Sequence, residues 1–416
     1  MKFELNLNKL RDVIIFSFYE CNRAGRCKHC FVSKPTGEIG FLKCHPDQFS
    51  SHIRGEYLER VAEWNVKIIT FLGGEPFLSA ALPEMLEILK KRPFGKIEES
   101  LEVIRNLSNS KIVVYTNSTL LANKSLKELK PVLELIDFLT VSIEGDQFWT
   151  ERIRGRVWNS CMRTLDRVSL FSRVYEKILK AEAAKPVARS SYWYEVICTR
   201  CGSDAFTVVV DGRTRYYCPN CRRVLGEGEV KDQLRDLIST IQYLNDKGIP
   251  VEVAPFIGRA PLPREVARDF FQKLSSMKYA DCLLPSYKNF IGLKITCPAG
   301  WNRLTITPDG YIHGCQWRES YIAHITWDDD LIMAEANRWV QKERSWIADE
   351  CYGCRLMSIC RSSCKVAQDY LTCPVKEGGL EDRAIPVVVG GRTQQINRSI
   401  AIRNLKRMRS LAPGVC

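Results

Sequence analysis

The 416-residue sequence has no apolar run approaching the roughly 18 residues of a membrane helix. Its start, MKFELNLNKLRD, lacks the apolar core of a signal peptide. Both absences point to a cytosolic protein. Acid is missing from residues 392–410, where Arg392, Arg398, Arg403, Lys406, Arg407 and Arg409 add to a net charge of +13. Such a stretch can bind nucleic acid or an acidic partner. It also reads as a solvated helix face, with Ile396, Ile400, Leu405 and Met408 packing inward. The apolar and charged fractions, 45% and 26%, are ordinary for a soluble chain of one large domain and one or two small ones.

Cysteine is abundant: there are eighteen. In a secreted chain that number suggests disulfides, but tight clusters in a large cytosolic chain suggest metals. Seven lie late. Cys297 and Cys315 stand apart, with Gly310 and Cys315 reading G-x4-C. Cys351, Cys354, Cys360 and Cys364 read C-x2-C-x5-C-x3-C, and Cys373 closes the set. Seven thiols exceed the needs of one tetrahedral ion, and thiolates favour zinc and iron–sulfur clusters. Near the N-terminus, Cys21, Cys27 and Cys30 form a trio that can hold three irons of a four-iron cluster and leave one open to a reactant. Alone, the trio could equally be half a zinc site. Between these sets, Cys198-x2-Cys201 and Cys218-x2-Cys221 bracket a hairpin-like stretch turning at Asp211-Gly212. Paired knuckles of this kind indicate a zinc ribbon, structural because four ligands close the coordination sphere. A mononuclear iron suits the same cage. Cys44, Cys161 and Cys416 read as small buried apolar residues.

Short apolar runs alternate with helix-period segments from residue 12. Val13–Phe18, Lys67–Leu72, Lys111–Tyr115 and Phe138–Ile143 read as strands, and Val251–Val253 begins another. Leu82, Leu86 and Leu89 share one helix face. Leu165 through Ile178 gives a long amphipathic helix, and Val230 through Leu244 another, stopped by Gly248. The alternation predicts a parallel α/β sheet with crossover helices, whose ligands lie at the C-terminal strand ends. The trio and Gly73-Gly74-Glu75-Pro76 both fall there. Tyr192–Ile197 could be the fifth barrel strand, the first ribbon strand, or both. If it is the fifth strand, the ribbon overhangs the active face; otherwise it is a peripheral stabilising insert.

These elements resemble the radical S-adenosylmethionine superfamily, in its branch with a C-terminal SPASM domain. The resemblance runs from about Val13 to Cys373, omitting the ribbon. It implies a partial (β/α)6 TIM-like barrel with an inserted zinc ribbon and a small cysteine-rich C-terminal domain. The expected division is 1–180 and 229–285 for the core, 181–228 for the ribbon, 286–375 for the SPASM domain and 376–416 for a basic extension. In this family three cysteines after the first strand bind a [4Fe-4S] cluster whose open iron is chelated by S-adenosylmethionine. An electron from the cluster then yields a 5′-deoxyadenosyl radical that takes a hydrogen atom from the substrate. The usual trio spacing is C-x3-C-x2-C; here it is C-x5-C-x2-C, with His29 where an aromatic is common.

By the same resemblance, Gly73, Gly74, Glu75 and Pro76 receive the methionine amino group. Thr116-Asn117-Ser118 looks like the family's Thr-Asn-Gly. Ser142, Glu144 and Gly145 lie where ribose is contacted, and Arg154-Gly155 echoes a following Arg-Gly. Cys351, Cys354, Cys360 and Cys373 would hold one auxiliary cluster, and Cys297, Cys315 and Cys364 the other. Residues 298–314 offer no cysteine as its fourth ligand, so that iron would be open or bound by His313, Cys282 or substrate. The implied cofactors are S-adenosylmethionine, three [4Fe-4S] clusters and one zinc or iron.

The leading expectation is a maturase that crosslinks or oxidises a peptide or protein, fed by a flavodoxin- or ferredoxin-type electron donor. The first strand near residue 12 leaves no N-terminal leader-binding domain, a role the ribbon could fill. Gln316 stands where sulfatase-maturing members carry an aspartate base, which argues against that activity. One alternative keeps the radical chemistry but acts on RNA, a cofactor precursor or a lipid. Another is a non-catalytic iron–sulfur and zinc protein that binds nucleic acid, against which the Gly-Gly-Glu-Pro stretch argues.

Overall fold

The computed structural model describes residues 4–17, 19–23, 26–27, 30, 52–64, 66–91, 111–179, 184–210, 213–255, 262, 264–277, 299–316, 320–345, 385–389 and 392–396. Six strands run parallel: β1 (Asp12–Phe16), β2 (Ile68–Leu72), β3 (Lys111–Thr116), β4 (Phe138–Ile143), β5 (Lys185–Tyr192) and β11 (Val251–Pro255). They lie side by side in chain order. This is the expected partial (β/α)6 barrel. Helices cross back over it, among them α1 (Gly55–Glu63), α2 (Leu82–Lys91), α3 (Leu126–Leu133), α4 (Gln147–Arg154), α5 (Trp158–Leu179) and α6 (Gln233–Asp246). Asp146 and Asp232 cap α4 and α6 by accepting from backbone N–H groups one turn in. Every residue of β1 is buried. In β3, Ile112, Val114 and Thr116 are buried while Lys111, Val113 and Tyr115 are half-buried, the alternation of a strand with unlike faces.

Beyond β1 the sheet continues through β12 (Arg303–Ile306), parallel to β1 with Asp12 opposite Arg303 and Ile15 opposite Ile306. Then come antiparallel β13 (Tyr311–His313) and β14 (Tyr321–His324), so the start of the cysteine-rich domain extends the barrel sheet itself. Gly310, at φ +88°, turns between β12 and β13, where a Cβ would lie 2.7 Å from His324 and 2.8 Å from Tyr57. α8 (Asp329–Ser345), which follows α7 (Arg264–Ser275) in the chain, covers these strands, with the Trp339 ring against Gly300 and Gly314.

Three expectations change. Lys185–Tyr192 lies inside the segment assigned to the ribbon, 181–228, yet it is the fifth barrel strand, paired with β4 and β11. The ribbon starts at β6 (Val196–Cys198), so the ambiguous stretch Tyr192–Ile197 ends one strand and begins another. The ribbon also closes later than expected, because β10 (Val230–Asp232) pairs with β6; Val230 is therefore strand, not helix. Lastly, Arg392–Ile396 forms a strand paired with Ile385–Val389, so the basic stretch does not open as a helix; Ile400, Leu405 and Met408 lie outside the described residues. No helix among the described residues is long and apolar enough to cross a membrane.

Candidate active site and metal centres

Cys21, Cys27 and Cys30 follow the C-terminal end of β1. Cys27 is buried and the other two are half-buried. Burial pushes the Cys21 thiol up to about 11 and raises Cys27 against the pull of Arg154 and Arg23. Burial thus keeps these two thiols protonated near neutral pH unless a metal draws off their protons.

The loop is pinned from far along the chain. Glu75 donates its backbone N–H to Glu20 O at 2.8 Å. A Cβ on Gly74 would lie 1.8 Å from that same oxygen, so only glycine lets the two loops meet. Asn117 reaches Cys21 Sγ through Nδ2 at 3.6 Å and Asn22 Oδ1 at 2.9 Å. Arg23 belongs to the enlarged part of the loop. Its backbone N–H points at Cys21 Sγ at 3.3 Å, and its guanidinium donates to Arg154 O. Gly155, at φ +72°, is bare where Arg23 passes: a Cβ there would lie 2.4 Å from Nη2. Arg23, within the C-x5-C gap, thus ties the loop to the end of α4.

Glu75 is not turned outward as expected for an ammonium partner. It is buried, accepting from Thr116 Oγ1 at 2.8 Å and from the Asn117 N–H at 2.7 Å. Burial raises its carboxyl to about 7, against the pull of these hydrogen bonds. Its side chain thereby locks the end of β2 to the end of β3. Ser118 explains its place in the family's Thr-Asn-Gly pattern: it sits at φ +66°, the left-handed region where glycine is at ease.

Glu144 is fully buried. One oxygen holds Arg154 at 2.5 and 2.9 Å and the other accepts from the Ser191 N–H at 2.9 Å. This pair ties α4 to β4 and β5 and carries a guanidinium towards Cys27. Ser142 is half-buried on β4, and its carbonyl faces the Cys161 thiol at 3.5 Å. Cys161 is buried, as a small apolar residue would be.

Sequence reasoning missed the barrel interior. Tyr115 on β3 donates to Glu252 on β11 at 2.9 Å and accepts from Arg189 on β5 at 2.8 Å. Arg189 and Glu252 are 3.6 Å apart. Strands that are not neighbours can meet this way only across the lumen. A charged residue at alternate positions of an apolar strand is the sequence signal for such a network.

The ribbon cysteines converge. Their four Sγ atoms lie within 4.8 Å of one another, with Cys198–Cys221 at 3.9 Å and Cys201–Cys218 at 3.5 Å. A tetrahedral zinc with bonds near 2.3 Å needs sulfurs about 3.8 Å apart. Gly202 and Arg222, each just after its knuckle, share positive φ values of 72° and 53°, so the two knuckles repeat one geometry.

Of the late cysteines, Cys315 is described; Cys297, Cys351, Cys354, Cys360, Cys364 and Cys373 lie outside the described residues, as do Cys44, Cys282, Cys416, His29 and the Asp211-Gly212 turn. Cys315 follows β13, its N–H donating to Ser320 Oγ at 2.8 Å. Because β13 runs antiparallel to β12, Cys315 heads towards the level of Asp12, at the opposite end of β1 from the trio. His313 is buried on β13, its ring against Tyr321.

Residues 15–169 match the family model described as the radical SAM superfamily. This chain carries a radical SAM domain. The domain spans β1 to β4 and contains the cysteine trio, Glu75 and Asn117. Radical SAM domains bind S-adenosylmethionine at a [4Fe-4S] cluster, and the protein is accordingly an enzyme. Among solved structures, the chain resembles SuiB of Streptococcus suis bound to S-adenosylmethionine, at 13% identity and TM-score 0.52, covering 88% of this chain and 76% of that one. It also resembles a histidine-tagged anSMEcpe with bound AdoMet, at 14% identity and TM-score 0.52, covering 89% and 91%. Native anSMEcpe with AdoMet and the Cp18Cys peptide aligns at 13% identity and TM-score 0.50, covering 86% and 90%. At these identities the likeness is one of fold. No curated protein sequence matches the chain.

Proposed function

We propose that this enzyme abstracts a hydrogen atom from a peptide or protein and so matures it by crosslinking or oxidation. The observation that carries the radical chemistry is the junction of three strand ends. There Asn117 bridges Cys21 and Glu75, joining the cysteine loop to the Gly-Gly-Glu-Pro turn. When bound, S-adenosylmethionine and its cluster supply a carbon radical able to take hydrogen from an unactivated carbon. Cys21, Cys27 and Cys30 hold the cluster in this reading, and Asn117 orients Cys21. The backbone of Gly73–Pro76 receives the methionine amino group, and Ser142 and the Glu144 backbone border the ribose. Tyr115, Arg189 and Glu252 shape the lumen where substrate lies.

Cys297, Cys315 and Cys364 hold one auxiliary cluster and Cys351, Cys354, Cys360 and Cys373 the other. Cys198, Cys201, Cys218 and Cys221 hold zinc. A flavodoxin or ferredoxin supplies electrons, and a reducing cytoplasm keeps the thiols available. The peptide substrate is supported by the fold shared with a structure that holds a peptide. RNA has no such support.

The test is anaerobic reconstitution with dithionite and S-adenosylmethionine. Release of 5′-deoxyadenosine is expected, with about twelve irons and one zinc per chain. No release under any reductant would sink the proposal.

A further inference from the structure

The zinc ribbon has two unlike faces. Its sheet, β7 (Phe206–Val210), β8 (Arg213–Cys218) and β9 (Arg223–Leu225), is in register through two cross-strand rows. One row is Thr207, Tyr216 and Leu225. Tyr216 and Leu225 pack with Val196, Cys198, Cys218 and Val230, and the Tyr216 hydroxyl donates to Asp232 at 2.9 Å. This is the inner face, the one that shields the cysteines.

The other row is Phe206, Tyr217 and Val224. Side chains alternate along a strand, so this row looks away from the ribbon core. Phe206 is 58% exposed and Val224 39%. Val208 and Arg215, paired across the same two strands, extend the face. Arg215 and Arg222 make no ion pair among the described residues, whereas Arg223 is held by Glu229. β7 is an edge of its sheet. A ribbon needs its inner face to enclose a metal; it has no structural need of a partly exposed aromatic and aliphatic row beside Arg215.

The ribbon is also firmly seated. It leaves β5 at the C-terminal strand ends, where the cysteine trio lies. Ile197 of β6 packs with Trp149, Ile153 and Trp193, and Lys231 of β10 pairs with Asp146 at 2.9 Å. Anything bound to the ribbon is held at a fixed reach from the site.

We propose that the outer face of the ribbon docks the recognition segment of the substrate. That segment is an extended acidic peptide, with one apolar side chain seated on Phe206, Tyr217 and Val224 and a carboxylate facing Arg215. An open edge strand suits an extended chain, which can add itself to the sheet. The Arg215 guanidinium, which makes no ion pair among the described residues, suits a carboxylate. Phe206 and Tyr217 offer bases a stacking surface too; what favours a peptide is the β7 edge, whose backbone groups can pair with another polypeptide backbone. The inference rests on the reading that the substrate is a peptide.

The test pans a phage-displayed random-peptide library on the reconstituted full chain and measures synthetic forms of the selected peptides by fluorescence anisotropy. Selected peptides should carry an apolar residue flanked by Asp or Glu. Their affinity should fall about tenfold in the F206S/V224S double variant and about as much in R215E. Both variants should keep full metal content and peptide-free 5′-deoxyadenosine release, which separates lost docking from lost fold. Equal binding to wild type and variants would overturn the proposal. So would labelled tRNA, and no peptide, binding in a Phe206-dependent way. If peptides dock on this face but none stimulates 5′-deoxyadenosine release or becomes modified, the docking surface stands and the peptide-substrate reading fails.

Discussion

The two described cysteine sites share local N–H to Sγ contacts but differ in how much distant chain supports them. In the ribbon all four ligands fall within 24 residues, and local hydrogen bonds such as Cys221 N–H to Cys218 Sγ at 3.3 Å shape the knuckles. The trio has one ligand fewer, and its loop is held from 96 residues away by Asn117 and from 131 away by Arg154. A closed site can be written into one short segment, because its ligands enforce one another. An open site must be held in shape from outside, since the vacant position contributes nothing to its own geometry.

Substitutions can break that contrast, and the largest effect should come from cysteine exchange. Cys27→Ala should abolish 5′-deoxyadenosine release while leaving the thermal midpoint nearly unchanged. Cys218→Ala should do the reverse: lose one zinc per chain, lower the midpoint, and leave peptide-free release intact. If Cys218→Ala abolished release with the fold preserved, the ribbon would belong to the chemistry rather than to the frame.

Next come the outside supports. Arg23→Ala removes a charged donor whose partner is a backbone carbonyl, a contact worth about 1.5–3 kcal/mol. Gly155→Ala displaces the same guanidinium without touching the loop. Both should lower iron retained per chain after gel filtration, with zinc unaffected. Unchanged iron in both would show that the enlarged loop needs no tie.

The last effect, confined to a pH window and silent in activity, concerns Glu75. Its folded carboxyl titrates near 7 and its ordinary one near 4.5. Between those values the folded protein keeps a proton that the unfolded chain has lost, so stability falls as pH rises through that window, by up to about 3 kcal/mol. Glu75→Gln should flatten this slope in denaturation midpoints measured without S-adenosylmethionine. A slope equal to wild type would mean that Glu75 is ionised throughout.

The barrel was legible from the alternation of apolar runs with helix periods, and the ribbon from its knuckle spacing, because both signals are local. β5 was harder to find. Its sequence, KPVARSSY, carries Arg189 and three hydroxyl side chains into a strand, as the lumen network requires, and so hides its β pattern. Roles inferred residue by residue fared unevenly. Glu75 and Glu144 stand in the expected positions, but their carboxylates are spent on Thr116, Asn117 and Arg154. No spacing rule can reveal which partner a buried acid will choose.

The parallel pairing of β1 with β12 makes β1 a ruler between the cysteine trio beyond its end and Cys315 near its start. Adding a residue to the strand would lengthen that ruler by about 3.3 Å and turn every later side chain to the opposite face. Adding residues to the loop beyond the strand costs neither. The chain has taken the permitted route: its irregularity lies between Cys21 and Cys27, and Asp12–Phe16 stays straight, buried and in register. Tolerance to insertion therefore changes abruptly at the strand end, within a few residues of the cysteine trio.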